Sequence, residues 1–91
     1  MTLLGIDVGT GGTRAVVVGD DGHVVASATE DHEPFASRHS GWAEQDPGDW
    51  WRACAVAVRA ALEATGAQAG AIAAVGLSGQ MHGAVLLGER D

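Results

Sequence analysis

The sequence predicts an α/β fold built on a partial mixed sheet. It has three antiparallel strands, one crossover helix, a fourth strand parallel to the first, and the start of a fifth. Three observations carry this expectation. An apolar run over residues 3–8 is broken by one carboxylate, Asp7, and is followed by a Gly/Thr turn and a second apolar run, Ala15-Val16-Val17-Val18. A helical pattern begins at Asp46-Pro47-Gly48-Asp49. A short segment of small apolar residues, Ala73-Ala74-Val75-Gly76-Leu77-Ser78, follows the helix and ends in the loop Gly79-Gln80-Met81-His82-Gly83. Strand, helix and strand in one sheet join by a right-handed crossover, so the first and fourth strands are expected to run parallel.

The first strand is expected over residues 3–8 and the second over 13–19, with the glycines between them as a tight turn. Asp20-Asp21-Gly22-His23 is a hairpin turn with Gly22 in the left-handed position, and a third strand follows over 24–30. Residues 31–45 form a loop with Pro34, Ser37, Ser40 and Gly41. His23, His32 and His39 lack the paired spacing of metal ligands and are expected at the surface. Asp46 can cap the helix, Pro47 suits its first position, and Asp49 places charge near the positive end of the dipole. Gly66 stops the helix after Thr65. Trp51, Cys54, Ala55, Val58, Ala61, Leu62 and Thr65 recur at three and four and predict its core face. Cys54 is then a buried small hydrophobe. Ala73, Ala74 and Gly76 suit a central strand packed closely on both sides. Residues 84–87 are expected to begin a fifth strand.

Composition narrows the functional classes. Ninety-one residues allow one small domain, and an apolar fraction of 46% is enough for a core. A net charge of −7 argues against nucleic acid or an anionic membrane as the main partner. The single cysteine, Cys54, fits a reducing cytoplasm. No apolar run approaches the ~20 residues of a membrane span. Asp7 interrupts the N-terminal apolar stretch, so no signal peptide is expected.

The opening stretch carries the chemistry. An unpaired carboxylate within a core-like strand is expensive, and a cation is the simplest reason for it. Gly9, Gly11 and Gly12 free the backbone to adopt positive φ and to aim several N–H groups into one concavity. Thr10 and Thr13 add hydroxyls, and Arg14 adds a fixed positive charge. This set suits a nucleotide phosphate chain with Mg²⁺ beside Asp7. It is not a P-loop, since no Gly-Lys-Ser/Thr is present and no helix follows. It is not the dinucleotide fingerprint, because β-branched residues follow the glycines. With the first and fourth strands parallel, the loop after Ser78 lies on the same edge as Asp7, where open α/β sheets bind ligands.

Three blocks occur in order: Gly5-Ile6-Asp7-Val8-Gly9-Thr10, Gly41-Trp42-Ala43-Glu44-Gln45-Asp46-Pro47 and Ser78-Gly79-Gln80-Met81-His82-Gly83. Together they resemble the N-terminal end of the FGGY carbohydrate kinases. The first block is shared widely among actin-like ATPases, the second is typical of the carbohydrate kinases, and the Gln-Met-His-Gly loop resembles the branch acting on D-xylulose. The resemblance implies a ribonuclease H-like, actin-like ATPase fold in two lobes, of which residues 1–91 are the opening part of the first. It implies ATP and Mg²⁺ as cofactors and phosphoryl transfer to the terminal hydroxyl of D-xylulose. Asp7 would hold the Mg–ATP assembly as the catalytic and metal residue. Gly9, Thr10, Gly11, Gly12, Thr13 and Arg14 would meet the phosphates. Met81 would pack on the sugar, His82 would hydrogen-bond its hydroxyls, and Gln80 would orient His82 or close the turn. Trp42 and Glu44 are expected to anchor the loop. The family's general base, an Asp, is expected beyond residue 91.

Two other readings are open at this point. A ribonuclease H-type nuclease shares the strand order, but its two-metal chemistry needs an acid where Ser78-Gly79-Gln80 stands. A non-catalytic nucleotide-binding or assembly module fits the same residues. One helix can cover only one face of such a sheet, so the segment is also expected to self-associate, most simply as a homodimer.

Overall fold

The computed structural model describes residues 1–66 and 69–90. Its elements are β1 (Thr2–Val8), β2 (Gly12–Val18), β3 (Val24–Asp31), α1 (Pro47–Thr65), a 3-10 turn (Ala69–Ala71) and β4 (Ile72–Gly79). The four strands form one sheet in the order β3-β2-β1-β4. β1 pairs antiparallel with β2 and parallel with β4, as the crossover rule requires. Gly22 turns the β2–β3 hairpin at φ 82°, the left-handed region where a side chain is disfavoured.

Both ends of α1 follow from local chemistry. Asp46 is extended, and its carboxylate accepts from the Gly48 N–H at 2.9 Å. Pro47 occupies the first turn, where its missing donor leaves no bond unmade. Gly66 ends the helix at φ 68°, its N–H reaching the Glu63 carbonyl at 3.2 Å. Arg52 ties the helix to the sheet: it donates to Asp49 at 2.6 Å, to Glu30 at 3.2 Å and to the Asp31 carbonyl at 2.9 Å. That Arg52 bond, with the Glu33 N–H as second donor, holds the Asp49 carboxyl below its ordinary range. A depressed carboxyl stabilises the fold above its unfolded pKa. This contribution is lost only as pH falls through the lowered folded value.

Side-chain alternation divides the sheet. Leu4 and Ile6 of β1, Thr13, Ala15 and Val17 of β2, and Ala26 and Ala28 of β3 share the face toward α1. Gly5 and Asp7, with Arg14 and Val16 opposite them, occupy the other face. The core is small: Leu4, Ala15 and Val17 pack on Ala57 and Ala61, with Val58 and Leu62 at its margin.

This bears out Val58, Ala61 and Leu62 of the expected helix face and corrects the rest of it. The buried line is Ala53, Ala57 and Ala61, while Trp51 is 75% exposed. Cys54 is half-buried, not sealed in the core. The reason lies across the interface. α1 packs mainly on β2 and β3, whose core-facing side chains are Ala15, Val17, Ala26 and Ala28 beside the buried Thr13, so the helix comes in on its smallest side chains. Trp51 and Cys54 turn instead toward a groove of about 460 Å³ beside Leu77 of β4.

Two strand expectations also change. Among the described residues β4 lies at one end of the sheet order, and Val75 and Leu77 are exposed. Residues 84–87 form no strand among the described residues.

Replacing Ala57 by Leu is expected to destabilise the fold by about 1–3 kcal/mol, since overpacking a filled contact forces strain. Trp51→Ala is expected to change stability by less than about 0.5 kcal/mol, as an exposed position. Urea denaturation of both variants checks the helix orientation. The opposite ranking would return the core to the Trp51 side.

Candidate active site

The site grows from the parallel pairing of β1 and β4. That register sets Asp7 beside Ser78, and the Ser78 hydroxyl donates to Asp7 Oδ1 at 2.7 Å. The antiparallel register on the other side sets Arg14 opposite Asp7. Asp7, Arg14 and Ser78 therefore share the face away from α1, where they line a shallow cavity of about 320 Å³. Asp7 and Arg14 are both exposed there.

The turn between β1 and β2 is tight and buttressed from below. The Gly9 N–H donates to the Gly12 carbonyl at 2.9 Å, and the His32 N–H donates to the Gly11 carbonyl at 2.9 Å. The positive-φ glycines are Gly22, Gly41 and Gly66; Gly9, Gly11 and Gly12 are not among them. The expected left-handed turn is thus corrected, and the glycines serve space instead. A Cβ on Gly12 would stand 2.9 Å from the Glu30 carbonyl oxygen, and one on Gly9 would stand 3.2 Å from the Gly12 oxygen. Gly11 has open space around it.

Two side chains depart from expectation together. Thr13 is fully buried, at 0% exposure, on the helix side of β2. Its hydroxyl bonds His32 Nε2 at 2.8 Å, so it is not offered to a phosphate. His32, expected at the surface, is 8% exposed. Its Nδ1 lies 3.5 Å from the Thr10 carbonyl, which can only accept. Nδ1 therefore faces that carbonyl as a donor, and the Thr13 hydroxyl, which can donate or accept, pairs with Nε2. His32 follows β3 directly, so counting back along the β2–β3 hairpin places it opposite Gly11. That register was the signal for it.

Beyond β4 the chain turns across the end of β1. The Gln80 N–H donates to the Val8 carbonyl at 2.9 Å, which fixes the start of the loop. Met81 is 80% exposed and His82 adopts φ 63°, a left-handed conformation that is uncommon outside glycine. Thr10, Gln45, Gln80, Met81 and His82 line one cavity of about 730 Å³. The Gln80 amide points to Gln45 Oε1 at 3.5 Å, not to His82. Trp42 packs edge-on against His39, and Glu44 closes the loop through backbone bonds to Ala36. Gln45 is a further site residue: it stands in the block of residues 41–47, but the sequence alone assigns it no contact. His23 stays at the surface, paired with Asp21.

Thr13→Val is expected to cost about 1–3 kcal/mol of stability, because it strips the buried His32 ring of its partner without changing volume. Thr13→Ser restores the hydroxyl and is expected to recover most of the loss. Thermal and urea denaturation measure both. An unchanged Thr13→Val variant would show that His32 does not depend on this bond.

With this geometry in place, comparison with known proteins is informative. The model of the FGGY family of carbohydrate kinases, N-terminal domain, matches residues 2–91. A xylulose kinase of Klebsiella pneumoniae is 44% identical over 87 residues, covering 92% of this chain and 17% of the relative. A glycerol kinase of Roseobacter denitrificans is 40% identical over 86 residues, with the same two coverages of 92% and 17%. Among solved structures, a xyloylose kinase from Brucella ovis matches with a TM-score of 0.91 and 40% identity, over 100% of this chain and 19% of that one. A xylulose kinase from Rhodospirillum rubrum matches at 0.84 and 30%, over 99% and 18%. The chain thus spans less than a fifth of the relatives it matches. Four mixed strands and one helix in this arrangement are the opening of the actin-like ATPase fold of these kinases, and the chain belongs to the FGGY family of carbohydrate kinases.

Proposed function

We propose that the chain is the opening part of the first lobe of an ATP-dependent, cytoplasmic sugar kinase. It transfers a phosphoryl group to the terminal hydroxyl of a ketopentose, D-xylulose, giving D-xylulose 5-phosphate. One observation carries the reading: an exposed carboxylate, Asp7, sits at the end of β1 directly before the Gly/Thr turn, with the Gln80–His82 loop beginning at the neighbouring strand end. Phosphoryl transfer is mostly positioning and electrostatics, and this edge supplies parts for both. The relatives named for xylulose favour that sugar. The glycerol kinase match keeps a second reading, a kinase for another sugar or a polyol.

The residues divide the work. Asp7 is one carboxylate with one hydroxyl donor, and no cluster of three metal-ligating groups occurs among the described residues. That suits Mg²⁺ carried largely by phosphate oxygens and water, with Asp7 as its protein contact. Such an ion supplies charge neutralisation on the transferring group. Arg14, the Thr10 hydroxyl and the backbone N–H groups of Gly11 and Gly12 bind the phosphates. Thr13 acts from behind, by holding the turn through His32. Met81 packs on the sugar and His82 bonds its hydroxyls. The general base belongs to the part of the enzyme that follows this segment.

In the full-length kinase carrying this segment, Asp7→Asn is expected to lower kcat by roughly 10²-fold or more with the fold intact. His82→Ala is expected to weaken sugar use by ~1–3 kcal/mol, roughly 5- to 150-fold in kcat/KM. A coupled ADP-release assay with D-xylulose and with glycerol measures both. Turnover near wild type in Asp7→Asn would remove the metal role. Turnover of glycerol alone would replace the ketopentose by a polyol.

The isolated segment is expected to form homodimers or larger species. α1 leaves β4 and the whole far face uncovered, with Val75 and Leu77 exposed. Apolar patches beyond ~300–600 Å² seldom stay free on a monomer. Sedimentation at micromolar concentration tests this. A monomer that binds no hydrophobic dye would show that the uncovered surface is not enough to drive association.

A further inference from the structure

We propose that Gln45 is a positioning residue that holds the phosphate turn and the sugar loop at one fixed spacing. The proposal rests on the kinase reading of those two segments. Gln45 stands immediately before the cap residue Asp46, on a backbone anchored by the first turn of α1. Its side chain is half-buried and makes three contacts. Nε2 donates to the Thr10 carbonyl at 2.9 Å. Oε1 accepts from Trp50 Nε1 at 3.1 Å and from Gln80 Nε2 at 3.5 Å.

The amide can point only one way. An indole N–H only donates and a carbonyl only accepts, so Trp50 must face Oε1 and Thr10 must face Nε2. A flipped amide would set donor against donor and acceptor against acceptor. Trp50 is itself part of the rigid helix, so the amide plane is locked from the helix side. One planar group then reaches the turn that carries Gly11 and Gly12 on its donor side. On its acceptor side it reaches the first residue of the Gln80–His82 loop. The Gln80 contact is long for a hydrogen bond, so the link to the sugar loop is the softer one. The Gln80 backbone bond to Val8 limits how far that loop can drift.

Gln45 touches neither reacting atom in this scheme. It sets the distance across which the phosphoryl donor and the sugar hydroxyl must meet, a quantity to which rate is steeply sensitive. Its removal should therefore lower kcat more than it weakens either substrate. It should also remove the contribution of Gln80, because Gln80 acts through the same amide.

The test uses the full-length kinase and four variants: Gln45→Met, Gln45→Glu, Gln80→Ala, and Gln45→Met with Gln80→Ala. Gln45→Met keeps length without hydrogen bonds. Gln45→Glu keeps an acceptor for Trp50 and loses the donor to Thr10. The expected result is a kcat lowered about 10- to 100-fold in both Gln45 variants, with KM for ATP and sugar changed by less than about threefold. The Trp50 indole N–H resonance should stay near its wild-type position in Gln45→Glu, showing that the helix anchor survives. Gln80→Ala should lower kcat alone and add nothing to Gln45→Met. The proposal is overturned if both Gln45 variants keep wild-type kcat. It is equally overturned if the Gln80→Ala effect persists in full in the Gln45→Met background, or if kcat falls only in step with lost thermal stability. Absence of D-xylulose turnover in the unaltered enzyme overturns the substrate reading alone. The same comparison is then run with the sugar or polyol that the enzyme accepts.

Discussion

The parallel pairing of β4 with β1 is the constraint on which the site depends. Asp7 and Ser78 are 71 positions apart, yet they lie side by side and share a hydrogen bond. Closing so long a stretch of chain is tolerable because the entropic cost grows only with the logarithm of its length. Much of the intervening chain is also stiffened into α1 and packed onto β2 and β3. The pairing reaches one bond past β4, where the Gln80 N–H meets the Val8 carbonyl. A turn leaves β1 and a loop leaves β4 at the same edge, and both departures are fixed by backbone bonds. Side chains then have to settle only the last few ångströms.

Much of the fold was legible because its signals are local. Gly22 marks a hairpin by the φ it must adopt, and Asp46, Pro47 and Gly66 mark the two ends of a helix by the groups they satisfy. What failed was non-local. The expected helix face follows the recurrence of Trp51, Cys54, Ala55, Val58, Ala61, Leu62 and Thr65 at three and four, and spacing alone does not choose between that stripe and the adjacent line of alanines. Packing against Ala15, Ala26 and Ala28 instead favours the side chains that allow close approach, so Ala53, Ala57 and Ala61 go inward. Residues 84–87 have the composition of a strand, but a strand exists only with a neighbour, and composition says nothing of neighbours.

The candidate site shows the same division. Asp7 could be singled out because a carboxylate in a core-like strand is costly without a reason. Gln45 stands in the block of residues 41–47 but could not be given a role from it, because a glutamine before a helix cap has no distinctive local cost. Its role comes from three partners on three different elements. His32 lies between these cases. Its loop-like surroundings suggest exposure, but the β2–β3 register fixes it opposite Gly11 once the hairpin is placed. Local preference pointed outward and register pointed inward, and the bond to Thr13 favours the inward position.

The Gly/Thr turn also shows how strand geometry limits what a motif can offer. Thr13 and Arg14 are adjacent on β2, and adjacent strand residues face opposite sides of a sheet. Both cannot serve one ligand. Arg14 takes the face that bears Asp7, which leaves Thr13 to the helix side, where a hydroxyl needs a partner within the fold. His32 supplies that partner, and its backbone also bonds the turn at Gly11. Gly12 permits this closeness, since a Cβ there would strike the Glu30 carbonyl. Thr13, which suggests direct phosphate contact in the sequence, thus acts on the turn from behind. The groups left exposed around the turn are the open side of Gly11, the hydroxyl-bearing Thr10, and the charged Asp7 and Arg14 on the far face.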